Sequence, residues 1–362
     1  MKTYNNLFEK IISPENIRKA ILKAARGKRK KASVRKALAN LDQTAAYLSE
    51  LLKNKIWKPV EIHQTKEIND GVELKKRYIV CPHFVREQCV HHAIMNICEP
   101  LFKKKFYNYS CGSVKGHGAE QAKKYVAKVI RKYPAKVKYV AKLDIKKFFH
   151  NAKPSFIFHE IRKTIRDKEV LRLFAMILRA NKQIIGQETI KQGIPIGFFT
   201  SPHFANILLN PIDHLIKEKA GIEIYVRYMD DMLLFSANKR KLKRTCVIIQ
   251  KEIERLCMRL KPVWQIHKFS SVNFLGYQFK KNGHVKLRDR IFLKAVRLVK
   301  RAKAKAKLTI HDCLRLISYM GRFKNADTYK AFVRHISPYI NIRELRKRVS
   351  NYFKRKGPKY AI

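Results

Sequence analysis

Acidic residues are scarce in this chain of 362 residues, which has 27 Asp and Glu against 81 Lys and Arg. The resulting net charge of +54 repels itself unless a polyanion relieves it. Nucleic acid is the first candidate, because Lys and Arg release condensed counterions when they meet its phosphates. An anionic membrane surface is the alternative. It is less favoured because the basic residues run through the whole chain and form no single juxtamembrane cluster.

Long apolar runs and paired cysteines are also lacking. No stretch reaches about 18 consecutive apolar residues and the N-terminus has no apolar signal core, so we expect no membrane contact. The seven cysteines are odd in number and contain no CxxC, which argues against a disulfide framework or a zinc site. This cysteine usage indicates a reducing, cytoplasmic setting. The kinase-type phosphate loop GxxxxGK[ST] is absent as well.

Hydrophobic periodicity predicts an α+β fold with a helical C-terminal part. Helices are predicted over residues 15–55 with a break at Gly27, and over 84–105, 154–181, 201–219, 242–260 and from 289 onward. Strands are predicted over 57–81, 137–145, 222–235 and 273–279, with hairpin turns at Asn69-Asp70-Gly71, Asp230-Asp231 and Asn282-Gly283.

Two adjacent aspartates, Asp230 and Asp231, lie inside the apolar segment IYVRYMDDMLLF. A carboxylate in such a setting is costly unless a cation or hydrogen bonds compensate it, and a divalent metal is the natural cation for a carboxylate cluster. Asp144 ends another predicted strand, so neighbouring strands would bring three carboxylates to one edge of a sheet. Two-metal phosphoryl transfer needs that arrangement, with ions ~3.5–4 Å apart. A solvated turn is the alternative for an Asp-Asp pair alone.

IYVRYMDDMLLF resembles the Tyr-x-Asp-Asp box of reverse transcriptases, with an apolar strand on each side. Four further blocks agree in order and spacing with bacterial retroelement reverse transcriptases, over about residues 75–285. They resemble the first fingers block, the block of the first catalytic aspartate, the block that contacts template and nucleotide, and the primer grip: Lys76–Phe102, Ala141–Asn151, Gln192–His214 and Asn273–Phe279. The resemblance implies a right-hand polymerase fold and RNA-directed DNA polymerase activity.

The resemblance also implies a metal site. Asp144 and Asp230 would bind two Mg²⁺ ions, for which Mn²⁺ can substitute, and the Ile145 carbonyl would be a further ligand. Asp231 would support these residues more indirectly. The primer 3′-hydroxyl would then attack the α-phosphate of a dNTP and release pyrophosphate.

Further roles are implied for residues around the metal site. In the resembled enzymes an aromatic ring excludes the ribose 2′-hydroxyl, a fingers arginine contacts the triphosphate, and the primer grip holds the primer end. The matching residues are Phe149 for the ring, Arg77 with Ile196 and Gly197 for the nucleotide, Phe274, Leu275 and Gly276 for the primer, and Lys115 and His117 for template phosphate. Phe148 is expected to pack in the core.

The branch of the family is indicated by two departures from group II intron and retron enzymes. Ile196 replaces their usual Gln, as in diversity-generating retroelements, and Met229 replaces their Ala before the paired aspartates. Residues 260–269 and 317–329 also resemble that branch, whereas Pro202 departs from it. The resemblance implies error-prone, mutagenic retrohoming in a bacterial or phage-encoded element. Group II intron-like, retron and phage-defence enzymes remain alternatives, as does a non-catalytic RNA-binding protein, against which the intact aspartates argue.

The expected organisation follows from these blocks. Residues 1–75 form a basic helical extension and the start of the fingers, 76–285 the fingers and palm, and 286–362 a basic helical thumb that grips the heteroduplex. Expected partners are an RNA template, a DNA or RNA primer, dNTPs and the small basic accessory oligomer of the resembled family. No room is expected for an RNase H, maturase or endonuclease domain, so nicking or target recognition would come from elsewhere.

Replacing Ile196 by Gln should lower the frequency of errors opposite template adenine, because Gln restores a hydrogen-bonding side chain that can discriminate against mispairs. The measurement is the error spectrum of sequenced cDNA from the two proteins on one template. Equal spectra would contradict the prediction.

Overall fold

The computed structural model describes residues 2–69, 76–114, 116–191, 193–262, 264–305, 307–324 and 326–355. These residues divide into two compact units. The first includes the chain before residue 123 together with Tyr139–His267, and the second includes Lys123–Lys138 and the chain from Lys268 onward. Within the described residues, no helix combines the length and apolar character needed to cross a membrane.

Helices make up most of both units. In chain order the α-helices of the described residues are α1 (Phe8–Ile12), α2 (Pro14–Ala24), α3 (Ala32–Ala39), α4 (Leu41–Lys53), α5 (Val90–Lys103), α6 (Ala119–Lys132), α7 (Phe148–Asn151), α8 (Pro154–Arg162), α9 (Lys168–Arg179), α10 (Ser201–His214), α11 (Lys239–Arg255), α12 (Asp289–Lys303), α13 (Ile310–Lys324), α14 (Tyr329–His335) and α15 (Ile342–Arg355). Wider π-helical turns, Phe84–Cys89 and Leu215–Lys219, precede α5 and follow α10.

The strands are short. They are β1 (Ile62–His63), β2 (Thr65–Asn69), β3 (Lys76–Val80), β4 (Tyr139–Asp144), β5 (Lys182–Ile185), β6 (Glu188–Lys191), β7 (Ile224–Tyr228), β8 (Asp231–Ser236), β9 (Ile266–Lys268), β10 (Ser271–Phe274), β11 (Tyr277–Lys280) and β12 (Val285–Leu287). The described strands form sheets in the orders β7-β8-β4-β9, β1-β5-β6, β2-β3 and β10-β11-β12. This mixture of helices and mostly antiparallel strands is the predicted α+β class.

The sheet β7-β8-β4-β9 organises the first unit. β8 is antiparallel to both of its neighbours, and four consecutive residues in its middle, Met232–Phe235, are buried. The face of α11 that carries Leu242, Cys246, Ile249 and Ile253 is buried in the core of this unit, as the helical spacing predicts. Asp144 and Asp231, at one end of the two central strands, are only half-buried.

Several predicted helices are divided in the structure. The predicted helix 154–181 is two helices, α8 and α9, because the chain turns after Ile161 and Asp167 caps the second helix. The predicted helix 15–55 is three helices, and the basic run passes through a turn in which Gly27 has a φ of +69°. The hairpin of β2 and β3 is confirmed by the pairing of Asn69 with Lys76, while its predicted turn at 69–71 extends outside the described residues.

The prediction of a single strand over residues 273–279 is wrong, because these residues form a hairpin in the second unit. Phe274 pairs with Tyr277, and the two residues between them, Leu275 and Gly276, have φ values of +51° and +84°. Two consecutive left-handed residues are the requirement of a type I′ hairpin turn, for which Asn-Gly is the usual sequence. The Leu-Gly pair gave a weaker signal. The turn at Asn282-Gly283 is confirmed, and Gly283 has a φ of +79°.

The second unit has its own apolar core. Its helices pack around the buried residues Leu287, Ala295, Val299, Cys313, Leu316, Met320, Phe323, Ile336 and Leu345. The predicted helical character of the chain from residue 289 onward is confirmed by α12–α15. All seven cysteines of the chain are free thiols, as their number and spacing predict.

One carboxylate, that of Asp167, caps two helices of the first unit. Its Oδ2 accepts hydrogen bonds from the amides of Leu7 and Phe8 at 2.7 and 3.0 Å, and its Oδ1 accepts from the amides of Glu169 and Val170, both at 3.1 Å. Four amides at the starts of α1 and α9 therefore depend on one side chain.

Replacing Asp167 by Ala should lower the free energy of unfolding by about 2 kcal/mol, the sum of two lost caps. Chemical denaturation of the wild-type and variant proteins measures this change in the free energy of unfolding. Glu61→Ala is the control: its carboxylate pairs with Lys182 on the surface, and its loss should leave the stability nearly unchanged. Equal effects of the two substitutions would contradict the double-cap interpretation.

Candidate active site

Three aspartates meet where β4 ends and β8 begins. Asp144, the last residue of β4, pairs directly with Asp231, the first residue of β8. Tyr228 pairs with Asp231 on the other side, so Met229 and Asp230 form the two-residue turn between β7 and β8. The sequence placed both aspartates in the turn; the structure assigns Asp231 to the strand. The expected neighbouring of the two strands is confirmed.

The turn holds Met229 in an unusual conformation. Its φ is +56°, in the left-handed region that side chains with a Cβ avoid at a cost of about 1–2 kcal/mol. Such a conformation persists only where the surroundings impose it, and it recurs at functional sites. Here it lies immediately before Asp230, so the strain is stored next to the carboxylates.

Two lysines neutralise part of the negative charge. Lys261 Nζ lies 2.6 Å from Asp144 Oδ2, and Lys142 Nζ lies 3.3 Å from Asp231 Oδ2. The other oxygen of each carboxylate, Oδ1, is buried and has no hydrogen-bond partner in the described part of the chain. Each aspartate therefore has one oxygen that is held by a cation and one that is still available to a ligand.

Burial raises the pKa values of the turn aspartates. The pKa of Asp231 rises to about 6 because of desolvation, with a further contribution from Asp144 and Asp230 and an opposing one from Lys142. Desolvation also raises the pKa of Asp230, the charge of Asp144 adds to it, and the positive charges of Lys261 and Arg77 oppose it. The site thus disfavours bare negative charge and favours a bound cation.

The residues fit a divalent cation, although not as a complete cage. Across the ranges that the structure describes, no group of three or more His, Cys, Asp or Glu side chains is arranged to hold a metal ion. Mg²⁺ commonly uses only one or two carboxylates and completes its shell with water and substrate phosphates. The unpartnered Oδ1 atoms of Asp144 and Asp231 are suited to that use.

The Ile145 carbonyl lies next to this cluster. Ile145 forms a bridge with Leu260, and the hydrogen bonds of this bridge use the carbonyl of Asp144 and the amide of Lys146. The hydrogen bonds of this bridge therefore do not involve the Ile145 carbonyl oxygen. The same bridge fixes the main chain of Lys261, whose amide donates to the Asp144 carbonyl at 2.8 Å.

The predicted nucleotide-contacting residues are held together by one segment of main chain. The Val80 amide donates to the Ile196 carbonyl at 2.7 Å, which attaches this segment to β3, the strand of Arg77. The Ile194 amide donates to the Phe149 carbonyl at 2.7 Å. Phe149 and Ile196 are half-buried, whereas Arg77 is exposed.

The segment around Ile196 can lie this close to β3 because Gly197 has no side chain. Its φ is +121°, and a Cβ would collide with the Val80 carbonyl. The structure thus brings Arg77, Phe149, Ile196 and Gly197 into one neighbourhood, whereas the sequence only ordered them along the chain.

The remaining predicted residues are less tied to this site. Phe274 is 1% exposed, in the hairpin of the second unit, with Leu275 and Gly276 at its turn. His117 is half-buried, with Nδ1 3.5 Å from the Ser110 carbonyl. Lys115 lies outside the described residues. Phe148 is buried, as expected.

Sequence reasoning missed a buried polar network beneath the turn. Arg227 and Asp213 form an ion pair with Nη2 and Oδ2 2.6 Å apart, and both side chains are wholly buried. Tyr225, Asn206 and Ser110 complete the network through hydrogen bonds. A signal was present, since Arg227 stands inside the apolar run IYVRY, but its partner lies on a helix that the sequence gave no reason to pair with it.

Gly112 packs directly against the turn. A Cβ at this position would lie 2.6 Å from Met229 Sδ, 2.8 Å from Met229 Cγ and 2.7 Å from the Met229 amide nitrogen. The Gly112 carbonyl accepts a hydrogen bond from Asn206 Nδ2 at 2.6 Å. The segment SCG is therefore a support for the turn.

Comparison with known proteins gives the family context. The family model described as reverse transcriptase (RNA-dependent DNA polymerase) matches residues 72–279, more than half of the chain. A solved structure of apo telomerase from Candida tropicalis has a TM-score of 0.50 at 13% identity, over 78% of this chain and 60% of that chain.

Two further telomerase structures are similar more weakly. A form from Candida tropicalis truncated from the C-terminal domain has a TM-score of 0.46 at 14% identity, over 66% of this chain and 58% of that chain. Telomerase from Candida albicans, in complex with a fragment of telomeric RNA, has a TM-score of 0.46 at 12% identity, over 87% and 62%. This chain spans about three fifths of these telomerases. The likeness at a TM-score of 0.50 agrees with the predicted right-hand polymerase fold and concerns the fold alone.

Replacing Gly112 by Ala should lower the free energy of unfolding by about 1–3 kcal/mol, because the new methyl group overpacks the turn. In a Met229→Ala background the loss should be smaller, since two of the three close contacts come from the Met229 side chain. Denaturant unfolding of the four proteins measures this coupling.

Gly321→Ala is the matched control, because no atom lies within 4 Å of the added methyl group. In its helix it should stabilise the protein by about 0.5–1 kcal/mol. A Gly112→Ala protein that is as stable as the Gly321→Ala protein would contradict the packing described.

Proposed function

The chain belongs to the reverse transcriptase (RNA-dependent DNA polymerase) family, and we propose that it is an RNA-directed DNA polymerase that makes cDNA. The single observation that carries the proposal is the direct pairing of Asp144 with Asp231, with Asp230 in the adjoining turn. Two strands thereby present three carboxylates at one sheet edge, which is what a phosphoryl-transfer centre needs.

The proposed reaction is nucleotidyl transfer. The 3′-hydroxyl oxygen of the primer forms a bond to the α-phosphorus of a dNTP, and the bond between that phosphorus and the oxygen that bridges it to the β-phosphorus breaks. Pyrophosphate leaves with that oxygen, and the hydroxyl proton passes to solvent water. Asp144 and Asp230 would hold the cation, the Ile145 carbonyl would add a ligand and Asp231 would support them. A bound pair of Mg²⁺ ions, or Mn²⁺, would stabilise charge on the attacking and leaving oxygens.

Positioning of the nucleotide falls to the neighbourhood of β3 and the segment around Ile196. Arg77 is proposed to contact the triphosphate, in keeping with its electrostatic effect on Asp230. Phe149 is proposed to exclude a ribose 2′-hydroxyl, because an aromatic ring offers that group neither room nor a partner. Ile196 and Gly197 would lie against the nascent base pair.

Template and primer are proposed to bind through charge. The net charge of +54 favours a polyanion, and binding should weaken steeply with salt. In this proposal residues 1–75 begin the fingers, 76–285 form fingers and palm, and 286–362 form a thumb on the heteroduplex. Phe274, Leu275 and Gly276 would hold the primer end, and Lys115 or His117 would contact template phosphate.

The proposed branch is the diversity-generating retroelement type, with mutagenic retrohoming as its role. Ile196 and Met229 support this branch over group II intron and retron enzymes. A bacterial or phage-encoded, cytoplasmic protein that works with a small basic accessory oligomer belongs to the same proposal. Free thiols throughout the chain agree with a reducing compartment.

Asp230→Asn should reduce RNA-templated primer extension on the order of 10²-fold or more, because the loss of a metal-holding carboxylate costs several kcal/mol of transition-state stabilisation. Incorporation of dNTPs on an RNA template with a DNA primer and Mg²⁺ is the measurement. Asp42→Asn, on an exposed carboxylate that pairs with Arg18, is the control and should keep the full rate. Unchanged extension by Asp230→Asn would refute the catalytic assignment.

A further inference from the structure

Arg227 is a wholly buried cation two residues before the turn. It lies in β7, its side chain is 0% exposed, and the three strand residues before it are buried. A buried guanidinium is tolerated only when an opposite charge and hydrogen bonds replace water. Asp213 of α10 supplies the charge, with its Oδ1 2.7 Å from Nε and its Oδ2 2.6 Å from Nη2 of Arg227.

Every donor of this guanidinium has an acceptor. Arg has five N–H groups in a fixed plane. Two are taken by Asp213, and Nη2 donates also to Ser110 Oγ at 2.7 Å. Nη1 donates to Asn206 Oδ1 at 3.1 Å and to the Met229 carbonyl at 2.9 Å. Five donors thus meet five acceptors, and one of these acceptors is the main chain of the turn.

The Met229 carbonyl is the acceptor that connects this network to the aspartates. Met229 has a φ of +56° and directly precedes Asp230. Since a left-handed residue must be held by its surroundings, the hydrogen bond from Arg227 is one of the contacts that impose it. The main chain of Arg227 is fixed in turn, because its amide donates to the Tyr109 carbonyl at 3.0 Å and its carbonyl accepts from the Cys111 amide at 2.8 Å.

Stability alone does not explain this network. A buried ion pair commonly stabilises a fold no more than apolar side chains of the same volume would. What apolar side chains lack is a rigid donor that reaches the Met229 carbonyl. The arrangement therefore serves the conformation of the turn, and through it the positions of Asp230 and Asp231 relative to Asp144.

We propose that Arg227 is a positioning residue of this enzyme: its guanidinium, anchored by Asp213, Asn206 and Ser110, holds the Met229 carbonyl and so fixes the turn that presents the catalytic aspartates. The effect on catalysis rests on the proposed polymerase function, whereas the effect on the turn does not. Lysine cannot replace it, because an ammonium has three donors and no planar fork.

The test compares Arg227→Lys with Tyr225→Phe. Tyr225 donates to Asp213 Oδ1 at 2.7 Å, so its loss weakens the same network on a side that does not touch Met229. Amide hydrogen exchange of residues 229–232 should become at least tenfold faster in Arg227→Lys and remain within about twofold of wild type in Tyr225→Phe. Strand β4 should stay protected in both proteins. Equal exchange at the turn in the two variants would overturn the proposal.

Primer extension gives the second readout. At saturating primer–template and dNTP, Arg227→Lys should lower kcat about 10- to 100-fold with little change in the KM for dNTP, whereas Tyr225→Phe should keep kcat within about twofold. Equal kcat values for the two variants would overturn the role in catalysis. If the wild-type protein does not extend the primer at all, the proposed polymerase function is rejected instead. The hydrogen-exchange measurement would then still test whether Arg227 holds the turn.

A second pair of variants applies if Arg227→Lys does not fold. Met229→Ala and Met229→Gly both remove the side chain, but Gly adopts the left-handed conformation at no cost, whereas Ala stays there only if its surroundings hold it, against about 1–2 kcal/mol. The proposal expects the contacts of the turn, with the hydrogen bond from Arg227 among them, to hold either residue, so that the kcat of Met229→Ala lies within about threefold of that of Met229→Gly. A Met229→Ala protein that is at least tenfold less active than Met229→Gly would show that these contacts do not hold the turn, and the proposal would fall.

Discussion

The register between β4 and β8 is the constraint on which the candidate site depends. Asp144 lies opposite Asp231 only in this register, and a slip of one residue would turn either carboxylate to the other face of the sheet. The register is fixed by burial, since Leu143 and Met232 form the next pair and both are buried in the core. The apolar residues around the aspartates therefore aim the carboxylates.

The three aspartates concentrate negative charge in a chain that has few acidic residues. The residues at the edge of the sheet and the residues beneath that edge have different roles around these carboxylates. At the accessible edge, Lys261 and Lys142 each hold one oxygen of an aspartate and leave the other oxygen available to a cation. Beneath the edge, Asp213 anchors Arg227, which donates a hydrogen bond to the main chain of the turn. In the proposed function the carboxylates at the edge serve chemistry, whereas the buried Asp213 serves the geometry of the turn.

The sequence was sufficient to predict that the three aspartates come together, but not to predict what holds them there. Asp144, Asp230 and Asp231 could be found because strands have period two and because carboxylates are costly in apolar runs. The left-handed Met229 and the hairpin at Leu275-Gly276 could not, since neither carries the Asn-Gly or Asp-Gly signal of a tight turn. The pairing of Arg227 with Asp213 was also beyond local patterns, because it joins a strand to a helix through tertiary packing. The helix break before α9 was missed although Asp167, which caps that helix, is a residue type preferred at helix starts.

Binding of Mn²⁺ tests most directly whether the two strands form one cation site. Paramagnetic resonance can measure the affinity of the full chain for Mn²⁺ with a terminated primer on an RNA template and the next dNTP. The account predicts that Asp144→Asn, on β4, and Asp230→Asn, in the turn, each weaken Mn²⁺ binding by on the order of tenfold or more, and that the double variant is little worse than either one. Unchanged Mn²⁺ affinity in Asp144→Asn would contradict a site shared between the strands.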